Sequence, residues 1–158
     1  MADVFHRLDV NAASPPAWSA MSRFNREAAK LGPEPAILEL VRIRASQING
    51  CAYCIDMHTK DARAAGESDE RMQLVVAWRE SPAFSTRERA ALALAESMTR
   101  LAEGGVPDEV YDTAAREFSE TELAGLILAI TGINAWNRIA ITTGMEPGHY
   151  RPGSTDEG

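Results

Sequence analysis

Apolar residues recur along this chain at the spacing of helices, whereas patterns typical of strands are almost absent. No stretch sustains an alternation of apolar and polar residues, no Asn-Gly hairpin joins two β-branched runs, and alanine is abundant. The pattern predicts an all-α protein, built as a single-domain bundle of about seven helices.

Helix-starting and helix-ending residues divide the first part of the chain into three predicted helices. The first begins after Ser14 in "PPAW" and ends at Gly32, since proline is tolerated in a first turn. The second begins at the prolines of "PEPAILEL" and ends at Asn49 and Gly50, two residues that tolerate left-handed geometry. The third covers about residues 51–65.

The second part of the chain carries clear helix starts. A helix is predicted from Ser68, with acidic residues in its first turn, and Pro82 is expected to end it. "STRE" at 85–88 and "SETE" at 119–122 are capping boxes that predict two further helices. A short helix is expected after Pro107.

Composition and length favour one domain. The chain of 158 residues has no internal repeat or linker, so residues 1–158 are predicted to form a single domain. Residues 1–14 are expected to be an N-terminal arm. The C-terminal tail, 147–158, is expected to be loose after Pro147.

The charge balance and the N-terminus bear on partners and location. The chain has 16 Lys and Arg residues and 23 Asp and Glu residues, a formal net charge of −7. This charge disfavours nucleic acid and anionic membrane surfaces as partners. No apolar run near the roughly 20 residues of a membrane span is apparent, and the N-terminus lacks a signal core. A cytoplasmic protein is therefore expected.

The segment "QINGCAYCIDMH" contains both cysteines and one of the three histidines. If a helix starts at Cys51, then Cys54 and His58 lie on the same face of it. The two cysteine Cβ atoms would lie about 5–6 Å apart, which a small adjustment converts to disulfide geometry. The spacing predicts a redox-active Cys51–Cys54 pair rather than a structural staple, because a reducing compartment keeps structural disulfides open.

Two devices favour a thiolate at this pair, but they indicate different sulfur atoms. The positive end of the helix dipole acts most directly on Cys51, whereas His58 is four residues from Cys54 and is placed to act as its base. Geometry alone therefore leaves open which cysteine attacks and which resolves.

Glu39 is a candidate to orient His58. In an antiparallel helix pair, Glu39 lies about 15 Å and His58 about 10 Å from the turn, so their side chains can meet. The alternative is an ordinary surface pair between Glu39 and Arg42, which are three residues apart on the same helix.

Two other interpretations of the cluster are a metal site and simple packing. Cys51, Cys54 and His58 offer three zinc ligands, with Glu39 or water as a fourth. Structural zinc sites usually draw ligands from two separate segments, and the remaining histidines lie near the termini, so no metal is predicted. If these residues only packed in the core, the Cys-x-x-Cys spacing and the histidine four residues later would be a coincidence.

The spacing from Glu39 through both cysteines to His58, E-x11-C-x-x-C-x3-H, resembles the signature of the AhpD-like alkylhydroperoxidases. These belong to the carboxymuconolactone decarboxylase superfamily. The segments "LVRIRASQINGCAYCIDMHTKDARAAGE", "AWRESPAFSTRERAALALAES" and "INAWNRIAI" are also similar, so the resemblance covers most of residues 30–145.

The resemblance implies peroxide reduction by an all-helical homotrimer or homohexamer. It implies that Cys54 attacks the peroxide, that Cys51 resolves the product as a disulfide, and that Glu39 and His58 relay protons. It further implies a protein dithiol or lipoyl-type electron donor, with no cofactor beyond the redox-active disulfide.

Three residues near this cluster are candidate pocket residues. Tyr53 stands where the best-studied branch of the family has a histidine, and a phenol is a poor base at neutral pH. Trp136 and Asn137 are candidates to border the pocket, with ordinary packing as the alternative.

Two further functional alternatives stay open at this point. One is a non-enzymatic redox sensor or small-molecule binding protein on the same scaffold. The other is a carboxymuconolactone decarboxylase-type enzyme, which the redox pair disfavours because ring-opening decarboxylation does not require it.

Overall fold

The computed structural model describes residues 5–154, and this part of the chain is built from α-helices. It contains no strand, only an isolated bridge between Phe5 and Met145. The described residues form eight α-helices: α1 (Val10–Ala13), α2 (Pro15–Leu31), α3 (Pro35–Asn49), α4 (Ala52–Ala64), α5 (Asp69–Leu74), α6 (Thr86–Thr99), α7 (Asp108–Glu117) and α8 (Glu120–Thr143). The all-α prediction is confirmed, with one helix more than expected.

The additional helix lies in the segment predicted as an arm. Helix α1 is a single turn, and the Asp9 side chain caps it by accepting from the backbone N–H of Ala12. No apolar periodicity marks so short a helix, because none of its residues is buried. In the sequence, the N-cap residue Asp9 was the one available sign of this helix.

Both predicted capping boxes are present. Ser85 accepts from the Glu88 backbone N–H while the Glu88 side chain accepts from that of Ser85. Ser119 and Glu122 make the same reciprocal pair at the start of α8.

The helix that starts after Ser68 is shorter than predicted. It ends at Leu74 rather than near Pro82, and a 3₁₀ turn, Val75–Ala77, follows it. Two contacts of Trp78 account for the change. Its indole Nε1 donates to buried Glu96, and its carbonyl accepts from Arg89 at 2.8 Å. These tertiary bonds replace the continuation of the helix.

The long helix α8 lies at the centre of the bundle, packed against α2, α3 and α6. At the crossing with α2 the backbones approach so closely that a Cβ atom on Gly125 would lie 2.2 Å from the Gly32 nitrogen. The largest core cluster joins α3, α6 and α8 through Leu38, Val41, Leu94, Leu126 and Ile130, all at most 2% exposed.

Helix α8 is also long and apolar enough to cross a membrane by length and composition, with a hydropathy of 1.3 in its best window. No apolar run of this length was expected from the sequence, because polar residues and glycines interrupt the apolar ones in this helix. Half of it is buried inside the fold, as is common for the core helix of a bundle.

The expectation of a loose tail is wrong for residues up to Tyr150. The Gly148 backbone N–H donates to Asp56 at 2.9 Å, and Lys60 Nζ donates to the Tyr150 carbonyl at 3.3 Å. The Tyr150 side chain is 9% exposed. Residues 155–158 of the predicted tail lie outside the described residues.

Candidate functional site

The turn between α3 and α4 positions the two cysteines. Gly50 adopts φ +72° and ψ 31°, the left-handed geometry that ends α3, as the Asn-Gly pair predicts. The chain then reverses, and the backbone N–H of Cys51 donates to the Ser46 carbonyl at 3.0 Å. Cys51 is the N-cap of α4, so its sulfur lies at the positive end of the helix dipole.

Cys51 and Cys54 form a disulfide across the first turn of α4, with their Cα atoms 5.4 Å apart. Cys51 Sγ also accepts from the backbone N–H of Cys54 at 3.3 Å, the usual N-cap arrangement. Both side chains are buried, Cys51 at 1% exposure and Cys54 at 4%. The spacing therefore does allow the pair to close as a disulfide.

Glu39 contacts both partners that the sequence offered as alternatives. Its Oε2 lies 2.9 Å from His58 Nδ1, and its Oε1 accepts from Arg42 Nη1 at 2.5 Å. The three side chains are 13–17% exposed, so this is a mostly buried group rather than a solvated surface pair. Helices α3 and α4 are neighbours, as the relay requires.

The surroundings of Glu39 keep it ionised. Burial favours the protonated form, but the hydrogen bonds and positive charges of His58 and Arg42 outweigh burial and hold the pKa of Glu39 below its usual 4.5. A carboxylate at this place fixes the orientation of the imidazole ring and stabilises the imidazolium.

A cavity of about 210 Å³ opens beside these groups. Cys54, His58 and Glu39 line it, whereas Cys51 does not. Apolar side chains form much of the remaining wall: Ala29, Met57, Ile133, Trp136, Ala140 and Met145. The cavity therefore reaches one sulfur of the pair and the relay at the same time.

The three candidate pocket residues occupy different places. Tyr53, 8% exposed, and Trp136, 6% exposed, both line the cavity. The Trp136 ring meets the Trp18 ring edge to face at 4.8 Å. Its Nε1 is buried and has no hydrogen-bond partner among the described residues.

Asn137 is not on the cavity wall. It is fully buried and donates to Ser46 Oγ at 3.0 Å, while its Oδ1 accepts from Asn49 at 2.8 Å. Asn134 accepts a second bond from Asn49 at 2.9 Å. These amides fasten the end of α3 to α8, so Asn137 supports the turn that leads to Cys51 rather than a ligand.

Two residues of the site had no clear signal in the sequence. Asp61 lies one turn beyond His58 on α4, and it accepts from the Tyr150 hydroxyl at 2.7 Å. Both line the cavity. Burial raises the pKa of Asp61, and the Glu39 charge adds to this effect against the opposing hydrogen bond from Tyr150. The helical spacing from His58 was the only available sign of Asp61.

The oxygen and nitrogen ligand atoms of Glu39, His58 and Asp61 lie within 4.8 Å of one another, close enough to hold a metal ion. In the structure each carboxylate already has another partner: Arg42 binds Glu39, and Tyr150 binds Asp61. The zinc site that the sequence offered as an alternative, and that was not predicted, used the cysteines, which are bonded to each other here.

This arrangement can support thiol chemistry. Reduction of the disulfide would free the Cys54 thiol on the wall of a cavity that His58 also lines, and His58 Nδ1 lies 2.9 Å from the Glu39 carboxylate. A thiolate is the reactive form of cysteine, and a helix N-terminus with an adjacent imidazole favours it.

Comparison with known proteins agrees with this fold. The family model for the carboxymuconolactone decarboxylase family matches residues 15–97. The uncharacterized protein YdfG of Bacillus subtilis is 47% identical over 106 residues, which are 67% of this chain and 72% of YdfG.

Two further similar proteins have AhpD in their descriptions. Alkyl hydroperoxide reductase AhpD of Bradyrhizobium diazoefficiens is 36% identical over 78 residues, 48% of this chain but only 42% of that protein. A crystal structure of an Agrobacterium tumefaciens protein of unknown function, suggested to be an antioxidant defence protein AhpD, superposes with a TM-score of 0.86. It is 38% identical and is matched over 91% of this chain and 99% of its own.

The match to the family model spans more than half of the chain, and the bundle agrees over nearly its full length with an AhpD-like structure. This chain therefore belongs to the carboxymuconolactone decarboxylase family, as an AhpD-like member.

Proposed function

We propose that this protein is a thiol-dependent hydroperoxide reductase that uses Cys54 and Cys51 as its redox pair. The cavity carries the proposal, because it brings Cys54 together with the hydrogen-bonded pair Glu39 and His58 and leaves Cys51 behind the wall. A peroxide that enters the cavity meets Cys54 first. This supports Cys54 as the attacking sulfur, the role that the family resemblance implies.

The reaction proceeds in two displacements. The Cys54 thiolate attacks the terminal oxygen of the hydroperoxide, an S–O bond forms, the O–O bond breaks, and the alkoxide leaves as an alcohol after taking a proton from His58. The Cys51 thiolate then attacks the Cys54 sulfenic acid. An S–S bond forms, and hydroxide leaves as water with a second proton. One hydroperoxide is reduced by two electrons, and the dithiol is oxidised to the disulfide.

Glu39 acts through His58 in this scheme. Its carboxylate holds Nδ1, so Nε2 is the nitrogen that exchanges protons with the thiol and the leaving group. Arg42 holds the other oxygen of Glu39 and keeps the carboxylate in place.

The size of the cavity favours a small organic hydroperoxide. At about 210 Å³ it is smaller than the roughly 300–1,000 Å³ of pockets that hold drug-sized ligands. Its apolar wall suits an alkyl or aryl group.

Turnover requires an external reductant for the Cys51–Cys54 disulfide. We expect a protein dithiol or lipoyl-type donor in a reducing cytoplasm, and a homotrimer or homohexamer as the working form. A dithiol donor attacks one sulfur, releases the other and leaves as its own disulfide.

The test is steady-state reduction of tert-butyl and cumene hydroperoxide with a dithiol or dihydrolipoyl donor. We expect one alcohol formed for each donor dithiol oxidised, and loss of turnover in Cys54→Ser. Oxidation of the protein by peroxide without repeated turnover would contradict the proposal and would favour the redox sensor, especially if oxidation changes the oligomeric state.

A further inference from the structure

The C-terminal segment after α8 returns to the helix that carries the redox pair. Its residues 146–149 and 151–153 are exposed, and Tyr150 between them is 9% exposed. A single buried side chain in an otherwise exposed segment indicates a specific docking position for its ring. Tyr150 lines the same cavity as Cys54 and His58.

Three residues of α4 hold this segment. Asp56 accepts from the Gly148 backbone N–H at 2.9 Å, Lys60 donates to the Tyr150 carbonyl at 3.3 Å, and Asp61 accepts from the Tyr150 hydroxyl at 2.7 Å. Lys60 also donates to Asp56 at 2.7 Å, which joins two of the anchors. Helix α4 therefore carries Cys54 and also holds the segment that brings Tyr150 to the cavity.

Ionisation of these groups is compatible with docking at neutral pH. Burial alone would raise the pKa of Asp56, but the hydrogen bonds from Lys60 and Gly148 lower it below its usual value, so Asp56 stays an acceptor. Burial and the adjacent Asp61 raise the pKa of Tyr150, so its hydroxyl keeps the proton that it donates.

We propose that Tyr150 is a specificity-determining residue: its ring limits the size of the apolar group that a hydroperoxide brings to Cys54. This rests on the proposed function. The hydroxyl contact with Asp61 and the backbone contact with Lys60 hold Tyr150 in place. Apart from Met145, the remaining lining residues lie on helices α2, α3, α4 and α8. A substitution at Tyr150 therefore changes the cavity wall with less effect on the hydrophobic core than a substitution on one of these helices.

The first experiment measures access to Cys54 without any peroxide. It uses the Cys51→Ser background, in which serine keeps an N-cap acceptor and Cys54 is the single thiol. Alkylation rates are measured with iodoacetamide and with N-benzyl-iodoacetamide, each normalised to the rate with the unfolded protein. We expect Tyr150→Ala to raise the bulky-to-small rate ratio about tenfold.

Tyr150→Phe is the matched control, because it keeps the ring and removes only the hydroxyl. Its rate ratio should stay within about twofold of that of the Cys51→Ser parent, because the backbone contacts of Gly148 with Asp56 and of Tyr150 with Lys60 still hold the segment. An unchanged ratio in Tyr150→Ala, or an equal rise in both variants, would overturn the inference that the ring limits the cavity. Far-UV circular dichroism and urea unfolding confirm that both variants are folded.

The second experiment measures kcat/KM for cumene and tert-butyl hydroperoxide with intact cysteines. Tyr150→Ala should shift the preference toward cumene hydroperoxide, and Tyr150→Phe should keep the wild-type preference. An unshifted preference in an active Tyr150→Ala enzyme overturns the specificity role. A wild-type protein that reduces none of the hydroperoxides would instead contradict the proposed function. In that case the alkylation ratio still shows whether the Tyr150 ring limits access to Cys54.

Discussion

Glu39 makes both of the side-chain contacts that its position in the sequence predicts. The spacing of three residues predicts its pair with Arg42, and the helix hairpin predicts its contact with His58. Each oxygen takes one partner, so the mostly buried pair with Arg42 leaves the contact with His58 in place. Both contacts follow from positions in the sequence. The helical repeat brings residues three apart together, and the rise per residue sets which residues face each other across a helical hairpin.

Replacing Glu39 with Gln removes the charge that orients His58 and stabilises its protonated form. We expect the rate of Cys54 oxidation by peroxide to fall about 100-fold, at the lower end of what a positioned acid–base group contributes. Stopped-flow tryptophan fluorescence of the reduced protein measures the rate.

Arg42→Gln is the matched control, because it removes the other partner of Glu39 and leaves the contact with His58. Its rate should fall much less. If Cys54 of the Glu39→Gln variant is oxidised at the wild-type rate, Glu39 has no part in the proposed relay.

The same carboxylate gives a pH dependence of stability. The pKa of Glu39 lies below its usual value of 4.5 in the folded state, so its favourable contacts stabilise the fold fully above that value. The stabilisation is lost as pH falls through the lower folded pKa, because the unfolded chain then binds the proton more readily. Urea unfolding at neutral pH and at successively more acidic pH measures this effect. The unfolding free energy of Glu39→Gln should fall less on acidification than that of wild type. An equal fall in both proteins would contradict a lowered pKa of Glu39.

At the scale of elements, the turn between α3 and α4 was predictable because its determinants are local. Asn49 and Gly50 end one helix, and the next residue is the N-cap of the following one. A Cβ atom on Gly50 would meet nothing within 4 Å, so only its positive φ demands glycine.

Gly50→Ala should therefore cost about 1–2 kcal/mol of unfolding free energy from left-handed backbone strain alone. Gly50→Asn should lose less, because asparagine tolerates this conformation. Urea unfolding of the oxidised proteins measures both, and equal losses in the two variants would show that something other than backbone geometry decides the position.

The contact of α2 with α8 is an element-scale feature that periodicity does not reveal. A glycine within an apolar helix has several possible reasons, and its close approach to Gly32 depends on the tertiary crossing of residues 93 apart. The same holds for the early end of α5, which follows from the contacts of Trp78 with Glu96 and Arg89.

Gly125→Ala tests this crossing. The added methyl carbon would lie 2.2 Å from the Gly32 nitrogen and 2.5 Å from its Cα, backbone atoms that yield only if a helix shifts. We expect a loss of at least about 2 kcal/mol in unfolding free energy. Ala124→Ser, at the exposed neighbouring position, should change it by less than about 0.5 kcal/mol. A Gly125→Ala protein as stable as wild type would refute the close packing.

For the whole molecule, the sequence predicted the all-α class, most helix boundaries and the central site group. Cys51, Cys54 and His58 lie on one short segment, and Glu39 lies on the adjoining helix, so local geometry sufficed. Tyr150 was missed because it contacts Asp61 across 89 residues from a segment without periodicity.

Asn137 shows the converse limit. A polar residue beside a tryptophan on α8 resembles a pocket residue, but its amide is fully buried and serves Asn49 and Ser46. Buried polar groups require partners, and which partners they find depends on the packing of the whole bundle.

The central claim, that Cys54 attacks peroxide and Cys51 resolves the product, is tested most directly by trapping the sulfenic acid with dimedone after one equivalent of hydroperoxide. Intact-mass and peptide mass spectrometry of three proteins decides it. We predict a Cys51–Cys54 disulfide without adduct in wild type, an adduct on Cys54 in Cys51→Ser, and none in Cys54→Ser. An adduct on Cys51 in Cys54→Ser, with Cys54 unmodified in Cys51→Ser, would contradict the account.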